Sequence, residues 1–450
     1  MEEKVCIFWF RRDLRLDDNA GLFRALMSGD KVLPVFIFDT EILDAIEDKY
    51  DRRVDFIYQA VENLNVQLLE KGSSLHVYNG RPITTFNHLL SKYNITKIVF
   101  NRDYEPAAQK RDKEIQDWCS ANGIVCESYK DQCIFESEEI LKENNTPYTV
   151  FTPYSKKWKQ NINNKIVSAF PNHFFFNNFA PFKAQSIPAL NEIGFQKTDI
   201  VFNKPKININ LIQQYHFNRD FPAINRTSKL SVHLRFGTIS IREAVRIALV
   251  HNDVWLNELI WRDFYMMILS KFPHVTQSSF KREYDLIEWR NNEHEFEKWC
   301  RGETGFPLVD AGIRELNSTG FMHNRVRMVT ANFLVKHLLI DWKWGEAYFA
   351  QKLNDYDLSA NNGGWQWAAG SGCDAAPYFR IFNPELQQKK FDPVFSYIKK
   401  WIPEFGTENY SPPIVDHALA RERALQAYKK ALVTKPLVNN HKRMVSSYTY

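Results

Sequence analysis

Short apolar runs separated by amphipathic stretches fill the first 130 residues. The runs are VCIFWF (5–10), VLPVFIFD (32–39), SLHVYNG (74–80), KIVFN (97–101) and IVCESY (124–129). Apolar side chains on both sides of a strand imply burial on both faces, which is the pattern of a parallel sheet wrapped by helices. Between the second and third runs, Val54, Ile57, Val61, Leu64 and Leu68 recur at spacings of 3, 4, 3 and 4 before Gly72. That spacing predicts a helix over 54–68. Residues 1–130 therefore read as a doubly wound, Rossmann-like α/β domain with its crevice at the carboxyl ends of the strands. At that edge stands RRDLRLDDN (11–19). So many neighbouring opposite charges read as pairing with one another, with anion binding as the alternative.

From about Ser137 to Asn210 the pattern dissolves into Asn, Lys, Pro and Phe, and residues 131–210 read as a connector crossing the surface. Beyond it helical spacing dominates, so 211–450 is expected to be an all-helical domain ending in a basic tail. The 450 residues suit two domains, and aromatic residues reach 14%. The net charge is +5, and Asp416–Tyr450 alone holds seven Lys/Arg against two Asp/Glu. That tail fits weak attraction to phosphates or a solvated terminal helix. The chain has no 18-residue apolar run, and its acidic start is unlike a signal peptide, so a cytoplasmic protein without a membrane span is expected. Six cysteines without a C-x-x-C pair read as free thiols, mostly buried, and argue against a metal site.

Candidate chemistry lies in the second half. VWLNELIWRDFYMMILSKF (254–272) predicts a helix with Glu258, Trp261, Arg262 and Tyr265 on one face. Alone, that stripe fits either core packing or a ligand surface. TGFMHNRVRMVTANFLVKHLLIDWKWG (319–345) reads as a turn and then one helix, with Asn324, Arg325, Arg327 and Met328 in its first turns and Trp342 and Trp344 at its end. Amide and guanidinium forks can bind base edges or phosphates, or serve as a cap and ion pairs. TSKLS (227–231) sets three hydroxyls around a lysine, fitting a pyrophosphate or a plain helix cap. GSGCDA (370–375) matches a dinucleotide fingerprint on paper, but deep in a helical half it is coincidental.

Together, FWFRRDLRLDDN, VWLNELIWRDFY, MHNRVRM, DYDLSANNGGWQWAAGSGCDAAPYFRIFNP and FDP resemble the photolyase and cryptochrome family from about Val5 to Leu432, most closely its bacterial class I cyclobutane pyrimidine dimer branch. The resemblance implies a helical domain holding FAD, with Tyr215 and Thr227, Ser228, Lys229, Leu230 and Ser231 at its phosphates and ribityl chain. The family usually has arginine where this chain has Lys229. Trp255, Asp355, Tyr356 and Asp357 match flavin-lining positions, Arg327 an arginine that pairs with the first aspartate, and Asn361 the residue facing flavin N5. Glu258, Trp261, Asn324, Arg325, Met328 and Trp367 match lesion-facing positions, with Arg262, Tyr265 and Gln387 along the DNA-contacting surface. Trp365, Trp342 and Trp289 match the family's electron relay. The implied activity is blue-light splitting of a flipped-out dimer in UV-damaged DNA by an electron from reduced FAD, performed by a monomer.

Two rivals share the fold. A signalling cryptochrome of the plant or animal type has aspartate or cysteine where this chain has Asn361, and a (6-4) photoproduct enzyme has a histidine pair where Asn324 and Met328 stand. His323 reads as a structural contact. A helical DNA-binding module without light chemistry leaves the flavin-matching residues unexplained. If WQW is extended, Trp365 and Trp367 share a side, and bending at Gly363 and Gly364 then separates their roles. Glu105 aligns with a folate-contacting glutamate of some relatives, but a histidine that assists there has no counterpart in FDTEILDAIEDKYD (38–51), so methenyltetrahydrofolate, deazaflavin, another flavin or an empty antenna pocket all stay open.

Overall fold

The computed structural model describes residues 4–433, so the far part of the basic tail lies outside the described residues. Five strands, β1 (Lys4–Phe10), β2 (Lys31–Asp39), β3 (His76–Gly80), β4 (Asn94–Asn101) and β5 (Val125–Tyr129), form one parallel sheet in the order β3-β2-β1-β4-β5. The predicted runs are all present and differ only at their ends. The largest difference is at β4, where Asn94 and Ile95 pair with Lys4 and Val5 ahead of a register shift. Along β1, Cys6, Phe8 and Phe10 enter one core while Val5, Ile7 and Trp9 enter another, so the sheet is covered on both faces. Each large apolar side chain buried this way contributes about 1.5–3 kcal/mol before entropy is counted.

The sheet's helices are α1 (Ala20–Leu26), α2 (Arg52–Leu69), α3 (Pro82–Leu90) and α4 (Pro106–Ala121). Asp51 caps α2 by accepting from the amides of Arg53 and Val54, and Val54, Val61, Leu64 and Leu68 are its buried face.

The strand order reverses between β1 and β4, and RRDLRLDDN leaves β1 at that point. Its charges do not chiefly pair with one another. Arg11 binds Asp112, Arg15 reaches Asp131 at 2.6 Å, and Asp18 accepts from Arg242 at 2.7 Å. Arg12 binds Asp103, Glu105 and, at 2.7 Å, Asp357 of the helical half. Asp13, Arg15 and Asp18 are buried, so their charges need partners converging from other elements.

The connector is less superficial than its composition predicts. Its helix α5 (Phe151–Asn161) buries Tyr154 and Trp158 completely. Asp263 holds this segment in place, accepting from the amides of Ile134 and Phe135 at 3.1 and 3.2 Å and from Trp158 Nε1 at 3.0 Å. Burial raises the Asp263 carboxyl to about 6, against the pull of those hydrogen bonds. The chain then returns to the sheet, where the Ala180 amide donates to the Val32 carbonyl at 2.8 Å.

The principal helices of the second half are α6 (Asp253–Lys271), α7 (Pro307–Thr319), α8 (Asn324–Asn332), α9 (Trp342–Lys352), α10 (Leu358–Ala369), α11 (Pro384–Phe391) and α12 (His417–Val433). The single helix predicted after Gly320 is two. A π-type turn over Phe333–His337 and a left-handed Leu339 (φ 52°) break it. Asp341 then caps α9, so Trp342 and Trp344 begin a helix instead of ending one.

All six cysteines are free, three buried and three half-buried. Among the described residues no His/Cys/Asp/Glu group could hold a metal, and no helix is long and apolar enough to cross a membrane.

Candidate functional site

Helix α10 organises the site. WQW is helical, not extended, so two residues' separation sets Trp365 and Trp367 about 200° apart, without any bend at Gly363 or Gly364. Trp365 is buried against Phe349 (5.0 Å between ring centroids) and Trp299 (6.2 Å), while Trp367 is half-buried and faces Phe382 (6.5 Å). Two glycines permit this packing. A Cβ on Gly345 would lie 2.1 Å from the Trp365 ring, and one on Gly363 2.2 Å from the Tyr265 ring. At the amino end Asp357 Oδ1 accepts from the amides of Ser359 and Ala360, while Oδ2 accepts from Arg12 at 2.7 Å and Arg235 at 3.4 Å. At the carboxyl end Lys336 Nζ donates to the Ala369 carbonyl at 2.9 Å and lies 3.5 Å from the centre of the Tyr428 ring. Between them, Asn361 Nδ2 donates to the Glu346 carbonyl at 3.0 Å.

Helix α6 supplies the facing wall. Glu258 accepts from Arg219; Arg325 donates to Asp220, the next residue, at 2.6 Å, and its guanidinium covers the Phe391 ring at 4.4 Å. Burial raises the Glu258 carboxyl above its ordinary range, with Arg219 opposing. Arg325 Nη1 also meets Met328 Sδ at 3.7 Å. Sequence reasoning missed Arg219 and Asp220; the signal was their position one helical turn after Tyr215, where the Arg219 guanidinium lies 5.5 Å from the Tyr215 ring. Trp261 stacks on Phe151 and is met by Tyr265 at 5.3 Å.

Arg262 does not join the outward surface. Its guanidinium donates inward to the backbone carbonyls of Gln132, at the connector's start, and of Leu234 at 3.3 Å, in the helical half. Tyr265 likewise lies against Gly363 as an inner wall. Asn324 is exposed at the start of α8, and Gln387 is half-buried on α11.

His323 is structural, as expected: its Nδ1 accepts from the Arg325 amide at 3.2 Å, and burial lowers its pKa to about 4. Arg327 Nη2 binds both Asp355 oxygens, at 2.9 and 3.1 Å. Trp342 shares a core cluster with Trp365, and Trp289 packs at its edge. Among the described residues, however, the rings in contact with Trp365 are Phe349 and Trp299, and Trp289 meets Tyr428 at 6.0 Å.

The loop 227–231 suits an anionic, hydrogen-bonding ligand. Among the described residues its Thr227, Ser228 and Ser231 hydroxyls make no hydrogen bond to protein, and Lys229 turns the backbone at φ 52°. Lys229 Nζ lies 5.5 Å from the Phe321 ring, and Leu230 is buried. Trp255 is buried on α6, and Tyr356 lies under the Arg53 guanidinium at 5.9 Å. Asn257 Oδ1, Glu346 Oε1 and Arg235 Nε are buried polar atoms without a hydrogen-bond partner in the protein.

The family of the FAD binding domain of DNA photolyase matches residues 255–408, and that of DNA photolyase matches 6–172. A deoxyribodipyrimidine photo-lyase of Vibrio cholerae is 35% identical, aligned over 94% of this chain and 99% of its own. The chain belongs to the photolyase and cryptochrome family. The Escherichia coli deoxyribodipyrimidine photo-lyase is also 35% identical over 94% of this chain and 98% of its own. In structure, this family member resembles a bacterial class III photolyase from Agrobacterium tumefaciens (TM-score 0.84, 31% identity, 96% of this chain and 99% of that one). It also resembles an archaeal photolyase from Sulfolobus tokodaii solved with two FAD molecules (TM-score 0.78, 34% identity, 95% and 100%). The FAD-binding match spans α6 to α11, the helices that carry the walls described above, and FAD is the cofactor they fit.

Proposed function

We propose that this chain is a deoxyribodipyrimidine photo-lyase that splits cyclobutane pyrimidine dimers in UV-damaged DNA under blue light. The observation that carries this reading is one junction. The Glu258–Arg219 pair and Trp261 on one wall meet Arg325 and Met328 on the other, beside residues matching the family's FAD positions. Reduced FAD, when bound, supplies the photoexcited electron that opens the cyclobutane ring and receives it back.

The chain's residues do the rest. Tyr215 and the loop Thr227 to Ser231 would hold the phosphate and ribityl part. Trp255, Arg327, Asp355, Tyr356, Asp357 and Asn361 would line the ring system, with Asn361 as the residue that matches the family's N5-facing position. A flipped dimer meets Trp261 and Trp367 as apolar walls, while Glu258 hydrogen-bonds a pyrimidine edge and Asn324, Arg325 and Met328 close the pocket. Arg219 adds a cation at its rim, and Gln387 lies outside it. The electron relay is assigned to Trp365, Trp342 and Trp289, the first two buried in one core cluster and the third packed at its edge rather than ring to ring.

Residues 1–130 form the antenna-type domain, 131–210 the connector and 211–450 the catalytic domain of a monomer acting in the bacterial cytoplasm. Glu105 is engaged by Arg12 and Arg235, at 2.9 and 2.8 Å, so a folate placed against it would compete with both guanidiniums. An absorption spectrum of the native protein before and after FAD release identifies the antenna. The central test is illumination of irradiated DNA with purified holoenzyme. Loss of cyclobutane dimers only in blue light is expected; no loss, or equal loss in darkness, removes the reading.

A further inference from the structure

The aromatic wall of the pocket is backed by a residue from the segment that composition assigns to the surface. Phe151, the first residue of α5, lies on the Trp261 indole with ring centroids 3.7 Å apart and planes inclined by 4°. Phe264 meets both rings edge-on, Phe151 at 5.9 Å and Trp261 at 5.5 Å, so the pair is clamped as a unit. Stacking this close lays the phenyl ring on one face of the indole and opposes rotation about its χ2 bond, while Tyr265 meets the indole at 5.3 Å with planes inclined by 32°.

What holds Phe151 is equally specific. Helix α5 has no side-chain cap from its own N-cap residue, Val150. Instead the Phe151 amide donates to Asp374 Oδ2 at 3.0 Å across 223 positions of sequence. Asp374 belongs to the turn that follows Gly370, the left-handed stop of α10, and Trp367 stands near the end of that helix. The two aromatic walls are therefore joined through the chain Trp261, Phe151, Asp374 and the end of α10.

We propose that Phe151, held by Asp374, is a positioning residue for lesion recognition: by stacking on one face of the indole it fixes the plane in which Trp261 meets the extruded pyrimidine. The assignment rests on the repair reading above. Phe151 touches neither lesion nor cofactor and acts only through Trp261.

The experiment measures, with holoenzyme in the dark, the dissociation constants for a dimer-containing duplex and for the undamaged duplex of the same sequence. Base stacking on an aromatic wall is strong enough that Phe151→Leu is expected to weaken binding to the dimer duplex about tenfold, with the undamaged duplex within about twofold. Phe151→Tyr keeps the stack and is expected to retain wild-type discrimination. Asp374→Asn keeps the capping acceptor and is expected to do the same, whereas Asp374→Ala weakens dimer binding in the direction of Phe151→Leu. In a Trp261→Leu background, Phe151→Leu should cost nothing further. Equal loss on both duplexes, unchanged discrimination in Phe151→Leu, or full additivity with Trp261→Leu overturns the assignment. Wild-type protein that fails to prefer dimer DNA overturns the repair reading itself, and so is told apart from failure of Phe151 alone.

Discussion

Glu258 shows how much a single carboxyl depends on its immediate company. Burial raises its pKa and Arg219 lowers it, so Arg219→Gln should move the titration further up. Affinity for dimer DNA measured against pH should shift its midpoint upward in Arg219→Gln and lose that step in Glu258→Gln. His323 titrates with the opposite sign. Its folded pKa of about 4 lies below the ordinary 6.5, so the neutral ring is the one the fold accepts. Above pH 6.5 neither state is protonated and His323 adds no pH dependence. Between 6.5 and 4 the unfolded chain takes up a proton that the fold refuses, and the contribution of His323 to stability should fall by up to about 3 kcal/mol. His323→Asn retains a capping acceptor and should remove that contribution, read in urea denaturation as a wild-type-minus-variant difference that shrinks as pH falls from 6.5 to 4. Trp365→Phe should block photoreduction of oxidised FAD, with unchanged photoreduction refuting the assigned relay. Glu258, Trp261, Arg325 and Met328 were legible as a set because helical spacing and motif order place them. Arg219 and Asp220 were not, since they leave a four-residue helix whose partners lie far away in sequence.

At the scale of elements, the strands were legible because a buried parallel strand leaves an uninterrupted apolar run. The helix break before Trp342 was not: LVKHLLI keeps helical spacing through the turn, and the stop comes from a left-handed Leu339, a residue type that gives no warning of it. Nor was the helical state of NNGGWQWAA, where two glycines and two indoles argue locally against helix. Tertiary contact overrides that preference, and the same contacts make two substitutions separable. Gly345→Ala forces a methyl into the Trp365 ring and should destabilise by about 1–3 kcal/mol. Gly364→Ala meets nothing within 4 Å and should stabilise by about 0.4–1 kcal/mol through its helical backbone. Thermal unfolding of the two variants side by side checks both signs.

At the scale of the molecule, the sheet and the helices are joined by charge. Asp103, Glu105 and Asp357 converge on Arg12 and Arg235, three carboxyls around two guanidiniums. Asp103 and Asp357 are held below the usual carboxylate range despite burial, while burial raises Glu105 to about 7. Removing one partner of such a cluster strands the others, so Arg12→Met should cost about 3–5 kcal/mol. Calorimetry should show that loss as earlier unfolding, with the sheet and helical transitions separating. The run RRDLRLDDN advertised the charges but not their destinations, because partners between 91 and 345 residues away leave no local pattern.

Helix α10 carries a constraint of another kind. Asn361 and Trp365 are one turn apart and Trp367 stands on the far side, while Asp357 and Lys336 fix where the helix starts and stops. Each residue advances the helix by 100°. Inserting or deleting one residue between Asp357 and Trp365 would swing both tryptophans by that angle, one out of the core and the other off the pocket. Over these dozen positions, the spelling of the sequence is open to change in places, but its length is not.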